Sequence, residues 1–150
     1  MQEKQKINIV WFKKDLRTKD QISLFKASQE DLPFIALYIF DEDFYQKKQF
    51  DFRKIGKFRA KFLLESVQNL QHNLAELNIT FLIKFGKTKE IFEKLNEHYS
   101  IQKIFCEGEF TQEEVDLEKS VSSALSNVKF EKSYSQFLLE PDFVFGKLEK

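Results

Sequence analysis

The run Ile7-Asn8-Ile9-Val10-Trp11-Phe12 is apolar over a strand's length apart from Asn8, and it breaks abruptly into Lys13-Lys14-Asp15-Leu16-Arg17-Thr18-Lys19-Asp20. Helical periodicity follows from Gln21. A run this rich in β-branched and aromatic residues, with no polar alternation, suits a strand covered on both faces, as in a parallel sheet. In a doubly wound sheet the first strand lies beside the topological switch point, and its carboxyl end opens onto the ligand crevice. That geometry puts Asp15 and Arg17 at the mouth of the crevice. The same spacing fits equally a surface loop in which the two charges pair with each other.

The remaining elements repeat the alternation. Asp20 is placed to cap a helix through about Glu30, and Pro33 opens a second apolar strand, Phe34 to Phe40, that ends in the acidic Asp41-Glu42-Asp43. Phe44 to Gly56 lacks clean periodicity and reads as a long binding or docking loop. From Lys57 to about Leu77, apolar residues recur every three to four positions, with Phe58, Phe62, Leu63, Val67, Leu70, Leu74 and Leu77 on the face expected to be buried. Asn78 suits a helix stop, and a third strand follows over Ile79 to Phe85. A helix over Thr88 to Tyr99, a fourth strand over Lys103 to Glu107, a helix from Thr111 to Leu125 and a short fifth strand over Val128 to Glu131 complete the pattern. Thr111 and Glu114 have capping-box spacing, with Phe110 and Val115 at the staple positions. Strict strand–helix alternation predicts a three-layer Rossmann-like α/β sandwich with a five-stranded parallel sheet in the order 3-2-1-4-5.

Composition narrows the function classes. The 150 residues suit one domain, and 24 basic against 24 acidic residues leave no global charge to draw the chain to nucleic acid or membrane. A single cysteine, Cys106, excludes an internal disulfide and a thiolate metal cluster, and its position on a central strand suits a small core residue. His72 and His98 have no acid–histidine spacing that would suggest a metal site. The segment before the first strand has no signal-peptide core, and no stretch reaches transmembrane length, so a cytoplasmic location is the expectation. Gly86-Lys87-Thr88 resembles the end of a P-loop, but Phe81 stands where that motif needs a glycine. No glycine lies between Lys13 and Thr18, which speaks against an ordinary dinucleotide site.

Two constellations remain. Lys47, Lys48, Arg53, Lys54, Lys57, Arg59 and Lys61 make the start of the long helix basic, against the macrodipole. They suit either an anionic partner or an ordinary solvated face. Glu107-Gly108-Glu109 closes the fourth strand, which flanks the switch point with the first. Glu107 or Glu109 should therefore share a cleft with Asp15 or Arg17, and a carboxylate there can accept paired N–H donors from a heterocycle. Pleat alternation orients Glu107, whereas Gly108 permits a change of direction at Glu109, and the positive end of the next helix favours an ionised Glu109. Arg17 and Arg59 are expected to make side-chain hydrogen bonds or ion pairs.

These residues carry a resemblance. Val10-Trp11-Phe12-Lys13-Lys14-Asp15-Leu16-Arg17-Thr18-Lys19-Asp20-Gln21 resembles the W-F-R-x-D-L-R-x-x-D-N opening of the photolyase and cryptochrome family, with lysine for the first arginine and glutamine for the asparagine. Lys54-Ile55-Gly56-Lys57-Phe58-Arg59-Ala60-Lys61-Phe62-Leu63-Leu64-Glu65-Ser66-Val67 is similar to K-T-G-x-x-R-x-x-F-L-L-E-S-V of the DASH-type members. The Phe85 to Thr88 and Glu107 to Glu109 regions fall in the family's order and spacing.

The resemblance implies an N-terminal α/β domain over residues 1–133 and, over 134–150, the start of a connection to a helical domain that binds FAD and docks on damaged DNA. It implies no catalytic residue and no metal in this chain, and no DNA repair by the chain alone. It implies an antenna pigment, methenyltetrahydrofolate in DASH-type relatives and a deazaflavin or flavin in others. Glu109 matches the glutamate that contacts the pterin, and Phe12 and Phe110 are expected as apolar walls of the pocket. The rival expectations are a stand-alone adenine-nucleotide or signalling module, and an interaction domain without pigment.

Overall fold

A computed structural model of the chain describes residues 3–46, 48–49, 52–53 and 56–139. Lys47 and Lys54 of the basic cluster, and residues 140–150 of the expected interdomain connection, lie outside the described residues. Strand β1, Lys6–Phe12, occupies the centre of the sheet. On one side it pairs in parallel with β2, Phe34–Asp41, which in turn pairs with β5, Phe81–Gly86. On the other it pairs with β6, Ser100–Glu107, and β6 with β7, Lys129–Ser133. The order β5-β2-β1-β6-β7 is the predicted 3-2-1-4-5. Two-residue strands β3, Lys48–Gln49, and β4, Phe52–Arg53, form a separate antiparallel pair.

The period-2 geometry of β1 divides the core into two layers. Val10 and Phe12 point to α1, Ile22–Ser28, and α3, Lys57–Glu76, and pack with Leu24, Ala27, Val67, Leu70 and Leu74. Ile7, Ile9 and Trp11 point to α4, Thr88–His98, and α5, Gln112–Ala124, and pack with Phe92, Val121 and Leu125. Trp11 meets Phe92 edge to face at 5.1 Å between ring centroids. Helices therefore cover both faces of a parallel sheet, as the apolar strands require. Among the described residues no helix is long and apolar enough to cross a membrane.

Four expectations need correction. The N-cap of α1 is Gln21, whose Oε1 accepts from the Ser23 and Leu24 amides, while Asp20 adopts φ 51°. Aspartate tolerates this left-handed conformation, and the Asp20 carbonyl is held by the Arg17 guanidinium at 3.1 and 3.3 Å. The expected Phe44 to Gly56 loop contains the end of a short helix, α2, Glu42–Gln46, as well as the β3–β4 pair. The Thr111 hydroxyl donates 2.6 Å to Glu114 Oε2 rather than capping a backbone N–H. Finally, of the seven residues expected on the buried face of α3, Val67, Leu70 and Leu74 are buried and Leu63 is half-buried, whereas Phe58 is 88% exposed, Phe62 70% and Leu77 54%. A 20-residue helix is about 30 Å long, whereas the sheet strands have 5 to 8 residues and span at most about 27 Å. The exposed Phe58 and Phe62 sit on the first turns of α3, outside its buried stretch from Val67 to Leu74.

The helix stop at Asn78 holds. Asn78 adopts φ 55°, its amide bonds the Ala75 carbonyl, and the Ile79 amide reaches back to the Leu74 carbonyl, both at 3.0 Å. This is the Schellman arrangement, in which a left-handed residue satisfies carbonyls that the helix leaves open.

Candidate functional site

A cleft of about 380 Å³ opens at the carboxyl ends of β1 and β2, between α2 and the start of α5. Trp11 and Phe12 form its floor together with Tyr38, while Tyr45, Leu63 and Leu117 contribute walls. Phe12 is fully buried, because its strand position turns it inward. Tyr45 belongs to an aromatic chain, 6.1 Å from Phe40 and 6.4 Å from Phe85, and Tyr38 stands edge to face on Phe40 at 4.9 Å. A broader groove of about 730 Å³ between α1 and the end of α3 lies away from the carboxyl ends of the strands, and its lining includes the exposed Ile22, Phe25 and Leu77.

Asp41 shapes the cleft in a way the sequence did not reveal. One carboxylate oxygen accepts from the Asp43 amide at 2.9 Å, and the other accepts from the Thr88 amide at 3.1 Å and the Thr88 hydroxyl at 2.5 Å. A single side chain therefore serves the first turns of both α2 and α4. Thr88 is 2% exposed, so its hydroxyl depends on this acceptor. The P-loop-like Gly86-Lys87-Thr88 is thus the anchor of a helix start, with Gly86 at φ 142°, where a side chain would be strained.

Lys13 and Lys14 leave β1 on opposite errands. Lys13 donates 2.6 Å to Glu118 Oε1 and lies 4.8 Å from the Trp11 ring centre, and Lys132 pairs with the other oxygen of Glu118. Glu118 is 3% exposed, a carboxylate in the same stripe as the buried Val121 and Leu125. A charge at a core position of an amphipathic helix is the signal that could have found it. Lys14 pairs with Glu114 and lies 3.9 Å from Glu109. Burial and the neighbouring Glu114 hold the Glu109 carboxyl above its ordinary range, against the pull of Lys14. Glu114 is penalised by burial too, but hydrogen bonds from Lys14 and Thr111 bring it below that range. The positive end of α5 thus faces an ionised Glu114, and Glu109 keeps its proton longer than an exposed glutamate would.

The other site residues expected from sequence fall into a separate clamp. Asp15 is buried and accepts from the Lys13 amide at 3.0 Å and from the Gln21 side-chain amide. Glu107, 2% exposed, accepts from Ser135 Oγ at 3.0 Å and the Gln136 amide at 3.1 Å, and Arg17 Nη2 reaches the same Ser135 hydroxyl at 3.3 Å. Arg17 and Glu107 therefore meet at Ser135 and tie the loop after β1 to the segment after β7, Asp15 ties that loop to the start of α1, and none of the three lines the cleft. Arg17 makes its expected bonds; Arg59 is exposed and, among the described residues, engages no side-chain partner. Phe110, 48% exposed, packs on Tyr134 at 5.4 Å and on Phe137 at 5.0 Å, outside the cleft lining.

Gly108 is required for a different reason than a special backbone angle: its φ is not positive. An added Cβ would stand 2.1 Å from Tyr134 Cε1. Gly108→Ala should therefore displace the Tyr134 ring and its stacking on Phe110, lowering stability by about 1–3 kcal/mol, as measured by urea unfolding.

The architecture and the site together define a doubly wound α/β domain with a ligand cleft at its strand ends. The family profile described as DNA photolyase matches residues 8–149. The chain belongs to the DNA photolyase family. It is 35% identical over 136 residues to the Cryptochrome DASH of Gloeobacter violaceus, covering 89% of this chain and 27% of that relative. The cryptochrome of Synechocystis sp. PCC6803 superposes with a TM-score of 0.84 at 27% identity, covering 89% of this chain and 28% of that one. An archaeal photolyase from Sulfolobus tokodaii superposes at 0.76 with 20% identity, over 93% of this chain and 31% of that one, a likeness of fold. The chain thus spans about a quarter of the length of the relatives it matches.

Proposed function

We propose that the chain binds an antenna chromophore for a light-driven, FAD-dependent enzyme that repairs pyrimidine dimers, with FAD and the damaged DNA held by a helical domain packed beside it. Methenyltetrahydrofolate is the preferred chromophore, with a deazaflavin or flavin as the alternative. The observation that carries this reading is the aromatic cleft at the strand ends, whose rim residues Lys14 and Glu114 pair with one another; Glu109 is outside the lining, behind this pair and 3.9 Å from Lys14. An antenna requires a dry, rigid pocket that fixes the orientation of a planar ring, and Trp11, Phe12 and Tyr38 supply its surfaces. An ionised Glu109 would accept from the amino and ring N–H groups of a pterin.

The test is absorbance titration of methenyltetrahydrofolate into the chain. Glu109→Gln should weaken binding by about 1–2 kcal/mol, roughly tenfold, since a charge-assisted acceptor is lost. Glu107→Gln should act on stability first, because its partners are Ser135 and Gln136. Undiminished affinity in the first variant together with loss in the second would reverse the roles. The pH dependence follows from the raised Glu109 carboxyl. Affinity should climb as pH rises through that displaced value and then level off, and Glu109→Gln should flatten the climb.

A further inference from the structure

Seven of the chain's 24 basic residues fall between positions 47 and 61, against one acidic residue, Asp51, and Phe50, Phe52, Phe58 and Phe62 are interleaved with them. The first turns of α3 show how the two residue types are displayed. Phe58 and Phe62, at i and i+4, share one face of the helix and are exposed on it. Lys57, Arg59 and Lys61 are exposed as well. The 3.6-residue period sets Arg59 on one flank of the two rings and Lys57 with Lys61 on the other. Lys61 pairs with Glu65 at 3.8 Å, both side chains lying largely in solvent, and such a pair opens at little cost. Rings this exposed gain little from folding, so burial does not explain them. Among the described residues of α3 only Leu63 lines the cleft, so these side chains form a surface separate from it.

We propose that the first turns of α3 form a contact surface for single-stranded nucleic acid, in which Phe58 and Phe62 stack on unpaired bases while Lys57, Arg59 and Lys61 neutralise the phosphates on either side. Stacking needs an exposed π-face and accepts any base, and each phosphate neutralised releases counterions. A duplex keeps its base faces stacked on one another and offers the rings nothing comparable. An anionic membrane would attract the same cations, but Glu65 follows Phe62 by three positions and Phe58 by seven, on the same helix face. Inserting the rings would carry that carboxylate toward the bilayer at a cost it does not meet beside an aqueous strand. The contact needs neither a lesion nor a bound pigment, and it does not depend on the chromophore reading.

Fluorescence anisotropy of the chain with a labelled, undamaged oligothymidylate of about 12 nucleotides tests it. Affinity should fall by at least about fifteenfold between about 50 and about 200 mM salt, the dependence that three neutralised phosphates give on a single strand. Phe58→Ala combined with Phe62→Ala should weaken binding by at least about tenfold and leave the salt dependence unchanged, because the rings supply stacking and no charge. Lys57→Gln, Arg59→Gln and Lys61→Gln together should flatten the salt dependence. All five side chains are exposed, so the variants keep the fold. Undiminished binding by the double phenylalanine variant would overturn the proposal, and so would equal affinity for a blunt duplex of the same length, since charge alone would then account for the contact. Binding to phosphatidylserine vesicles with none to the oligonucleotide would overturn it in favour of a membrane surface. Binding to neither would overturn it and leave this face to a protein partner.

Discussion

Glu118→Ala should lower the unfolding free energy by about 3–5 kcal/mol, the cost of leaving buried charge without its partner. Glu118 is 3% exposed and the Lys13 side chain 11%, so the variant strands one lysine almost fully buried and a second, Lys132, partly so. Replacing Lys13, Glu118 and Lys132 together with Met, Leu and Met should recover most of the loss, because apolar side chains of similar volume fill the site without a desolvation penalty. Urea unfolding measures both, and Cys106 gives an independent readout. Its thiol is buried and pushed up to about 12, chiefly by that burial, so it should react with a thiol reagent only when the chain opens. A Glu118→Ala protein as stable as the parent would mean that water reaches the cluster.

The triad also predicts alkaline behaviour. Burial lowers the Lys132 ammonium, but the hydrogen bond and the charge of Glu118, with smaller help from Cys106 and Tyr134, together outweigh it, and the folded value ends above the ordinary one. A folded value raised in this way contributes stability that is complete below the unfolded pKa, about 10.4, and is lost as pH climbs through the folded value. Stability should therefore fall above about pH 10, and the fall should be shallower in Lys132→Met.

Asp41→Ala should cost about 2–3 kcal/mol and should remove ligand affinity with it. Three donors lose one carboxylate, and the Thr88 hydroxyl is left buried without its acceptor. Because Asp41 serves both α2 and α4, its loss should loosen the wall bearing Asp43 and Tyr45. Thr88→Val separates the effects: it removes the hydroxyl but keeps the Thr88 backbone N–H on Asp41, so it should cost less and retain ligand binding. Calorimetry and chromophore titration on the two variants provide the comparison, and equal loss of binding in both would place the effect in α4 alone.

Strand–helix alternation, the five sheet strands and their order were all legible in the sequence, because β1, β2 and β6 are apolar enough to demand cover on both faces and parallel crossovers have one hand. Asn78 was legible as a helix stop because a left-handed cap is a local requirement. The extent to which α3 is buried was not, since apolar spacing records a face but not how far along it the cover reaches, and Phe58 and Phe62 stay exposed where Val67, Leu70 and Leu74 pack. The carboxylates divided in the same way. Their positions at strand ends marked Asp15, Glu107 and Glu109 from sequence, but the partners that the fold brought to each decided what it does. Ser135 and Gln136 engage Glu107, Gln21 engages Asp15, and Thr88, 47 positions away, engages Asp41. A sequence pattern reports which residues share a face through local periodicity, whereas the pairing of buried charges such as Lys13 with Glu118, 105 positions apart, is settled only when the crossovers bring strand ends and helix starts together.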